Sequence, residues 1–154
     1  AASDVYKRQV INMHESEIKE KVKKGWIRCW SMIEVMATTK ELTETSLKNH
    51  LKKLKKEKGI HIYKETFETA EKVKSPFKNI KEAYSQVVEI EFITENFKNL
   101  IDFVILYGPS TIEILEPKKI ETDIGDAQEI LNRLSTLLHN LAAAGIGGML
   151  ISPK

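Results

Sequence analysis

Eight aromatic, basic and acidic side chains could together form a binding site for a small cationic or hydrogen-bond-donating molecule. Trp26, Arg28 and Trp30 occupy alternate positions, so they would share one face of a strand. An indole attracts a cation through its ring face, and a carboxylate can pair with the same charge. The candidate ligand- or partner-binding residues are Trp26, Arg28, Trp30, His61, Tyr63, Glu89, Glu91 and Glu113. The sequence therefore predicts a site that combines stacking with ion pairing.

These residues come from four separate segments, and the order of elements predicts that the segments are strands of one sheet. Apolar periodicity and turn residues indicate helices near residues 14–24, 43–58, 94–107 and 126–144, and strands near residues 26–37, 60–73, 83–93 and 110–115. The central order is β-α-β-β-α-β. We therefore expect an α+β fold, a ferredoxin-like antiparallel sheet with extra N- and C-terminal helices. In this topology the first and third strands are central neighbours, and the fourth flanks the first.

The period of two along each strand divides the sheet into a core face and an opposite face. The residues expected to face the two core helices are Ile27, Cys29, Ile33, Ile60, Ile62, Val88, Ile90, Phe92, Ile112 and Ile114. The candidate site then lies on the opposite face. The last helix carries a wide apolar stripe from Ala127 to Leu141 and also needs a surface. Two alternatives to a small-molecule site therefore stay open, since this helix or a second subunit could bury the same face.

Threonines and glycines indicate where the core helices begin and end. Thr43 is predicted to cap the first core helix, with Leu42 and Leu47 at the flanking apolar positions, and Thr94 is predicted to cap the second. Gly108, followed by proline, ends that second helix.

An enzyme would need the carboxylates of the candidate face to act as acid and base. Glu89, Glu91 and Glu113 beside His61 could raise one carboxyl pKa by mutual repulsion. Alternating glutamates are equally typical of a solvated strand face. The four histidines are scattered without metal-ligand spacing, and Cys29 falls on the core side, where a thiol is usually inert. The sequence favours a non-enzymatic protein with no catalytic residue, no cofactor and no metal.

Lysines on the first core helix raise the alternative of nucleic-acid binding. They are Lys48, Lys52, Lys53, Lys55, Lys56 and Lys58, with a second cluster from Lys19 to Lys24. The whole chain has a formal net charge of only +2, from 24 basic and 22 acidic residues. It also lacks the aromatic RNP1 pattern of sheet-based RNA binders. We therefore expect a second copy of the chain, another protein or a small molecule as partner, and neither nucleic acid nor a membrane.

The length of 154 residues fits one domain. Residues 1–12 are predicted to be a non-native or disordered leader, because Met13 would make a natural start, and residues 13–154 are predicted to form the single domain. The longest apolar stretch, Leu141 to Ile151, is shorter than the roughly 20 residues of a membrane span. Gly147 to Ile151 would form a tail or an added edge strand. With one cysteine and no apolar leader, the expected location is the cytoplasm.

The segment from Val87 to Pro117 resembles the C-terminal ferredoxin-like extension of WYL-domain transcriptional regulators. The likeness is strongest at the Gly108-Pro109 break and the following strand, Ile112-Glu-Ile-Leu-Glu-Pro117. It implies a module that senses ligands or mediates assembly, without chemistry of its own. The chain has no winged helix and no WYL domain, and its first core helix is longer, so a role in transcription does not transfer.

These observations predict a non-enzymatic ferredoxin-like module that binds a partner or assembles with itself through the open sheet face or the last helix. A regulatory pocket for a small molecule beside Arg28 is part of the same hypothesis. The alternatives are a small-molecule enzyme that uses the sheet-face carboxylates and a nucleic-acid-binding protein that uses the lysine-rich helix.

Overall fold

The computed structural model describes the chain from Gln9 to Ile146, with side chains from Asn12 onward. It divides into two compact units, Ala1–Ile120 and Glu121–Lys154, and each is described by itself. Three residues of the predicted leader form a short strand, β1 (Gln9–Ile11). The rest of that leader before Gln9, and the predicted tail or edge strand at Gly147 to Ile151, lie outside the described residues.

The described residues of the first unit form an antiparallel sheet and three helices. Its elements after β1 are α1 (Glu15–Lys23), β2 (Ile27–Ala37), α2 (Lys40–Leu54), β3 (Ile60–Phe67), β4 (Glu71–Lys74), β5 (Glu82–Thr94), α3 (Phe97–Tyr107) and β6 (Thr111–Glu116). The strand order is β1-β3-β5-β2-β6, with β4 also paired to β5, and every pairing is antiparallel. The predicted α+β fold is confirmed, including the central β2–β5 pair and the position of β6 beside β2.

The long strand β5 organises one side of the sheet, because both β3 and β4 pair with it. Phe67 in β3 lies opposite Val88, and Glu71 in β4 lies opposite Ser85. The ragged second strand predicted from Ile60 to Val73 is therefore two strands, β3 and β4, which pair with successive parts of β5. β1 pairs with the outer edge of β3 and was not predicted, since three residues are too few for a periodic signal.

The core lies between one face of the sheet and the apolar faces of α2 and α3. It consists of Ile27, Cys29, Ile33, Leu47, Leu51, Leu54, Ile60, Val88, Ile90, Phe92, Leu100, Phe103 and Tyr107. Phe92 and Phe103 pack with ring centroids 4.9 Å apart. The predicted core face is confirmed for the central strands. Ile114 is an exception: 42% of its surface is exposed, because β6 lies at the edge of the sheet.

Both predicted threonine caps were wrong, and the true caps lie close by. Thr39 caps α2 by accepting a hydrogen bond from the amide of Leu42 at 3.1 Å, while Thr43 is buried in the helix and donates to the Thr39 carbonyl at 2.7 Å. Asn96 caps α3 by accepting from the amide of Asn99 at 2.8 Å. Thr94 instead ends β5. The presence of capping residues therefore located each helix start to within a few residues but did not identify the capping residue itself.

We expect Asn96→Ala to lower the free energy of unfolding by about 1 kcal/mol, because an amide of the first turn loses its acceptor. Thr94→Val should instead raise it by up to about 1 kcal/mol, since the buried Thr94 hydroxyl has no hydrogen-bond partner among the described residues. Urea unfolding of both variants checks the two opposite signs. A loss of stability in Thr94→Val would mean that the hydroxyl is hydrogen-bonded after all.

The described residues of the second unit form one long helix, α4 (Ile124–Ala143), with Asp123 as its N-cap. The Asp123 carboxylate accepts a hydrogen bond from the amide of Asp126 at 2.7 Å. This helix confirms the predicted one, apart from its earlier start. The prediction that the apolar stripe of this helix covers the sheet stays a hypothesis. Among the residues described, no helix is long and apolar enough to cross a bilayer.

Candidate functional site

The face of the sheet opposite α2 and α3 carries the candidate residues, and α1 packs on part of it. Ile18 of α1 forms a small buried cluster with Tyr63 and Ile93, and Met13, Val22 and Trp26 pack around it. This second core was not predicted, although Ile18 and Val22 do mark the apolar side of α1. α1 therefore closes one end of the face and leaves the part around Trp30 outside this cluster.

Arg28 fastens α1 to the sheet through a hydrogen-bond network. Its Nη1 and Nη2 donate to the two carboxylate oxygens of Glu15 at 2.7 and 3.0 Å, and Nη1 also donates to Glu116 at 3.3 Å. Its Nε donates to the Tyr63 hydroxyl at 2.7 Å. The hydrogen bond from Arg28 lowers the pKa of the Glu15 carboxyl. A planar guanidinium suits this forked geometry, which a lysine could not reproduce.

Tyr63 connects this network to the centre of the face. It is buried, and it is the extra residue of a β-bulge, since Ile62 lies opposite Phe92 while Lys64 lies opposite Glu91. Burial raises the pKa of its hydroxyl to about 12, against the opposing effect of Arg28. A hydrogen bond to Glu91 and the charge of that carboxylate raise it further. Tyr63 therefore stays protonated at neutral pH and links Arg28 to Glu91.

Trp30 lies at the centre of the face, between carboxylates from two neighbouring strands. It is paired in register with Glu91 on β5 and with Glu113 on β6. Its indole Nε1 donates to Glu89 at 3.3 Å, and Lys64 forms an ion pair with Glu91 at 3.2 Å. A depression of about 110 Å³ is lined by Trp30, Lys64, Thr66, Glu89, Ile90 and Glu91. The structure thus brings four of the eight predicted residues together here: Trp30, Glu89, Glu91 and Glu113.

Trp26 and His61 form a separate pair at the end of the sheet. Their ring centroids are 5.4 Å apart, and the ammonium of Lys21 lies 4.2 Å from the centre of the Trp26 ring. The eight predicted site residues therefore form two separate groups, one around Trp30 and one at Trp26 and His61, and Arg28 and Tyr63 lie between them. Arg28 itself contacts Glu15, Glu116 and Tyr63, and the depression described above lies beside Trp30, so the small-molecule pocket expected beside Arg28 stays a prediction.

Sequence reasoning missed four polar residues of this face: Glu15, Lys64, Thr66 and Glu116. Glu116 lies opposite Arg28 because a second bulge shifts the β2–β6 register between Arg28 and Cys29. Strict alternation would have put both Lys64 and Glu116 on the helix side. A charged residue on the predicted apolar side of each strand, Lys64 in β3 and Glu116 in β6, is the signal that could have indicated these bulges.

The Trp30 depression combines an indole ring with two carboxylates that accept hydrogen bonds. Glu89 accepts from an indole N–H and Glu91 from an ammonium, so both already act as acceptors for positive or donating groups. Burial raises the pKa of the Cys29 thiol to about 12, which leaves it protonated at neutral pH. Across the described part of the chain, no group of three or more His, Cys, Asp or Glu side chains could hold a metal ion.

The comparisons with known proteins relate most of this chain to one protein family. A family model described as the MJ0538 family matches residues 28–146, which is more than half of the chain. The chain is 27% identical over 107 residues to "Uncharacterized protein MJ0538" of Methanocaldococcus jannaschii, a match over 68% of this chain and 38% of that protein. The chain therefore spans well under two thirds of the length of this relative.

No solved structure matches the chain. The resemblance of Val87 to Pro117 to the extension of WYL-domain regulators stays a hypothesis, and neither the family model nor the relative bears on it. Because the family model extends over β2 to β6 and both core helices, the chain belongs to the MJ0538 family.

Proposed function

We propose that the first unit is a non-enzymatic binding or assembly module whose Trp30 face binds a protein partner, either a second copy of the chain or another protein. The observation that supports this most is the half-buried indole of Trp30 with the carboxylates of Glu89, Glu91 and Glu113 around it. Such a site suits a positively charged group, which could be a lysine or arginine side chain of the partner or a small cation. The single buried thiol of Cys29 fits a reducing compartment, so we infer that this module acts in the cytoplasm.

The charges on the face favour a basic group of the partner. Lys64 offsets the charge of Glu91, but Glu89 has only the neutral indole as its described donor, and Glu113 is exposed. A cation placed over the indole would gain from the ring face and from two carboxylates at once. Tryptophan is also the residue type that most often dominates the binding energy of an interface.

The face is held in place before any partner arrives. Arg28 ties α1 to β2 and β6, and its contact with Tyr63 continues to Glu91 at the edge of the depression. A surface that needs little ordering loses less entropy on binding. This rigidity supports recognition of a partner more directly than it supports catalysis, for which a site must still supply an acid or a base to the substrate.

Self-association is the form of this function that can be tested with the protein alone. We expect sedimentation velocity over a wide concentration range to show association, and Trp30→Ala to weaken it at least ~10-fold, because the central indole of an interface is lost. Binding of arginine amide, followed by tryptophan fluorescence, tests the cation site of the same face. Glu113→Gln, an exposed position, should weaken arginine amide binding without affecting the fold.

Leu106→Ala provides the matched control, since Leu106 is also exposed and apolar but lies on α3, across the sheet from Trp30. It should change neither association nor arginine amide binding. A protein that stays monomeric at all concentrations and binds no arginine amide would contradict the proposal. Equal losses in Trp30→Ala and Leu106→Ala would do so as well.

A further inference from the structure

The strand topology brings three lysine-rich connections to the same end of the sheet. Ile27 at the start of β2 and Ile60 at the start of β3 both lie opposite Thr94 at the end of β5. Arg28 lies opposite Glu116, the last residue of β6. The connection from α1 to β2, the connection from α2 to β3 and the segment after β6 therefore meet at one end, which is about 15 Å wide if four strands lie ~4.8 Å apart.

This end, which we call the basic end, collects positive charge that is dispersed along the sequence. Its lysines are Lys21, Lys23, Lys24, Lys52, Lys53, Lys55, Lys56, Lys58, Lys118 and Lys119. Lys55 is already paired at 2.5 Å with the buried Glu65 of β3, and the first unit has four further carboxylates at this end, those of Glu20, Glu57, Glu95 and Glu116. Three of these have described partners: Glu20 pairs with Lys24, Glu57 accepts from the Tyr107 hydroxyl and Glu116 pairs with Arg28. The lysines outnumber these carboxylates, so the local charge is positive.

Helix stability accounts for only part of this arrangement. Basic residues in the last turn of α1 (Lys21 and Lys23) and of α2 (Lys52 and Lys53) complement the negative end of each helix dipole. Lys58, Lys118 and Lys119 lie beyond the helices, so that explanation does not reach them. The whole-chain charge of +2 hides the basic end, because the glutamates that balance it lie largely on other surfaces, such as the Trp30 face.

Exposed aromatic surface lies at the same end. His61 is exposed, and its ring stands 5.4 Å from that of Trp26, which in turn is covered by Lys21. A flat exposed ring beside lysines is the combination that proteins use for single-stranded nucleic acids, in which lysines contact phosphates and rings stack on bases. A phospholipid surface would offer the phosphates but no base to stack on the ring.

We propose that the basic end binds single-stranded nucleic acid, with the lysines of the three connections on the phosphates and His61 stacked on a base. This site is separate from the Trp30 face, because its residues lie at the ends of the strands and the Trp30 depression lies midway along them. Nucleic acid was not expected from the sequence, because the whole-chain charge is only +2 and the RNP1 pattern is absent. Part of the balancing negative charge belongs to glutamates of the sheet face, such as Glu89 and Glu91. The topology separates those glutamates from the lysines.

A variant with one lysine replaced in or beside each of the three connections tests whether these lysines bind the nucleic acid together. The probe is a labelled uridine RNA of about 20 nucleotides, followed by fluorescence anisotropy as salt is raised. For Lys23→Gln/Lys56→Gln/Lys118→Gln we expect Kd to rise at least ~10-fold at low salt, and the slope of log K against log salt to fall by about 2, since three phosphate contacts are lost. Glutamine keeps the helix propensity of lysine, so the fold should be unchanged.

The matched control is Lys74→Gln/Lys78→Gln/Lys81→Gln, which removes three exposed lysines from the β4–β5 hairpin at the other end of the sheet. It should leave Kd and slope close to those of the original protein, and so should Trp30→Ala. The proposal is overturned if the RNA does not bind at low salt, if the two triple variants weaken binding equally, or if the protein binds phosphatidylserine vesicles but no oligonucleotide.

His61→Ala should weaken RNA binding several-fold without changing the slope of log K against log salt, because it removes a stacking ring and no charge on a phosphate. An unchanged affinity would mean that His61 does not stack on a base.

Discussion

Phe92→Ala is expected to lower the free energy of unfolding by about 3–5 kcal/mol, because it truncates a large side chain at the centre of the core. Phe92 is fully buried on β5, the strand that pairs with β2, β3 and β4. Its ring packs against Phe103 of α3, so truncation removes apolar surface and leaves a cavity between sheet and helix. Since a domain of this size is stable by roughly 5–15 kcal/mol, the variant should be at the limit of folding.

Urea unfolding by circular dichroism measures this effect, with two controls. Phe92→Leu keeps most of the volume and should cost less than about 1.5 kcal/mol. Phe77→Ala removes the same side chain from the hairpin between β4 and β5, where 62% of its surface is exposed, and should stay within about 0.5 kcal/mol of the original protein. A Phe92→Ala variant as stable as Phe77→Ala would show that the core does not form around β5 as described.

The strand order could be predicted because local patterns agree with it. Alternation of apolar and polar residues defines β2 and β5, and the break at Gly108 separates α3 from β6. A β-α-β-β-α-β order then leaves few arrangements that give each helix an apolar face to pack on. The predicted position of Trp30 between carboxylates follows from this topology together with the period of two, because β2 lies between β5 and β6 and alternate residues share a face.

The network around Arg28 could not be predicted, because it depends on two departures from regular pairing and on a helix with a weak signal. The bulge at Tyr63 turns Lys64 toward Glu91, and the bulge in β6 turns Glu116 toward Arg28. Glu15 reaches Arg28 only because α1 packs on the second face, where Ile18 is its one buried residue. The lysines of the basic end were visible in the sequence, but their common location required the strand register.

Arg28→Met should lower the free energy of unfolding by about 2 kcal/mol. A charge-assisted hydrogen bond contributes about 1.5–3 kcal/mol when buried. Here the larger part of the loss comes from the buried Tyr63 hydroxyl, which would lose its donor. The pairs with Glu15 and Glu116 contribute less, because those side chains are 55% and 42% exposed and water screens them. Amide hydrogen exchange should show α1 opening more often in the variant, since Arg28 is its polar anchor.

Arg28→Lys separates charge from geometry in this network. Lysine keeps the charge but cannot contact Tyr63 and both oxygens of Glu15 together, so we expect it to recover less than half of the loss. A cycle with Tyr63→Phe should be less than additive, because both substitutions remove the same hydrogen bond. Full recovery by lysine would mean that charge alone holds α1 on the sheet.

The pH dependence supplies an independent check on the Glu15 pair. Its pKa is lowered in the folded protein by the hydrogen bond from Arg28, so its contribution is complete above the ordinary carboxyl pKa and is lost as pH falls through the lowered one. The stability difference between the original protein and Arg28→Met should therefore narrow under acid conditions, where Glu15 is protonated. The bond between Arg28 and Tyr63 does not titrate in that range, because the Tyr63 pKa is raised to about 12, so a residual difference should persist. A difference that stays constant with pH would mean that the Glu15 pair contributes nothing to the effect of Arg28 on stability.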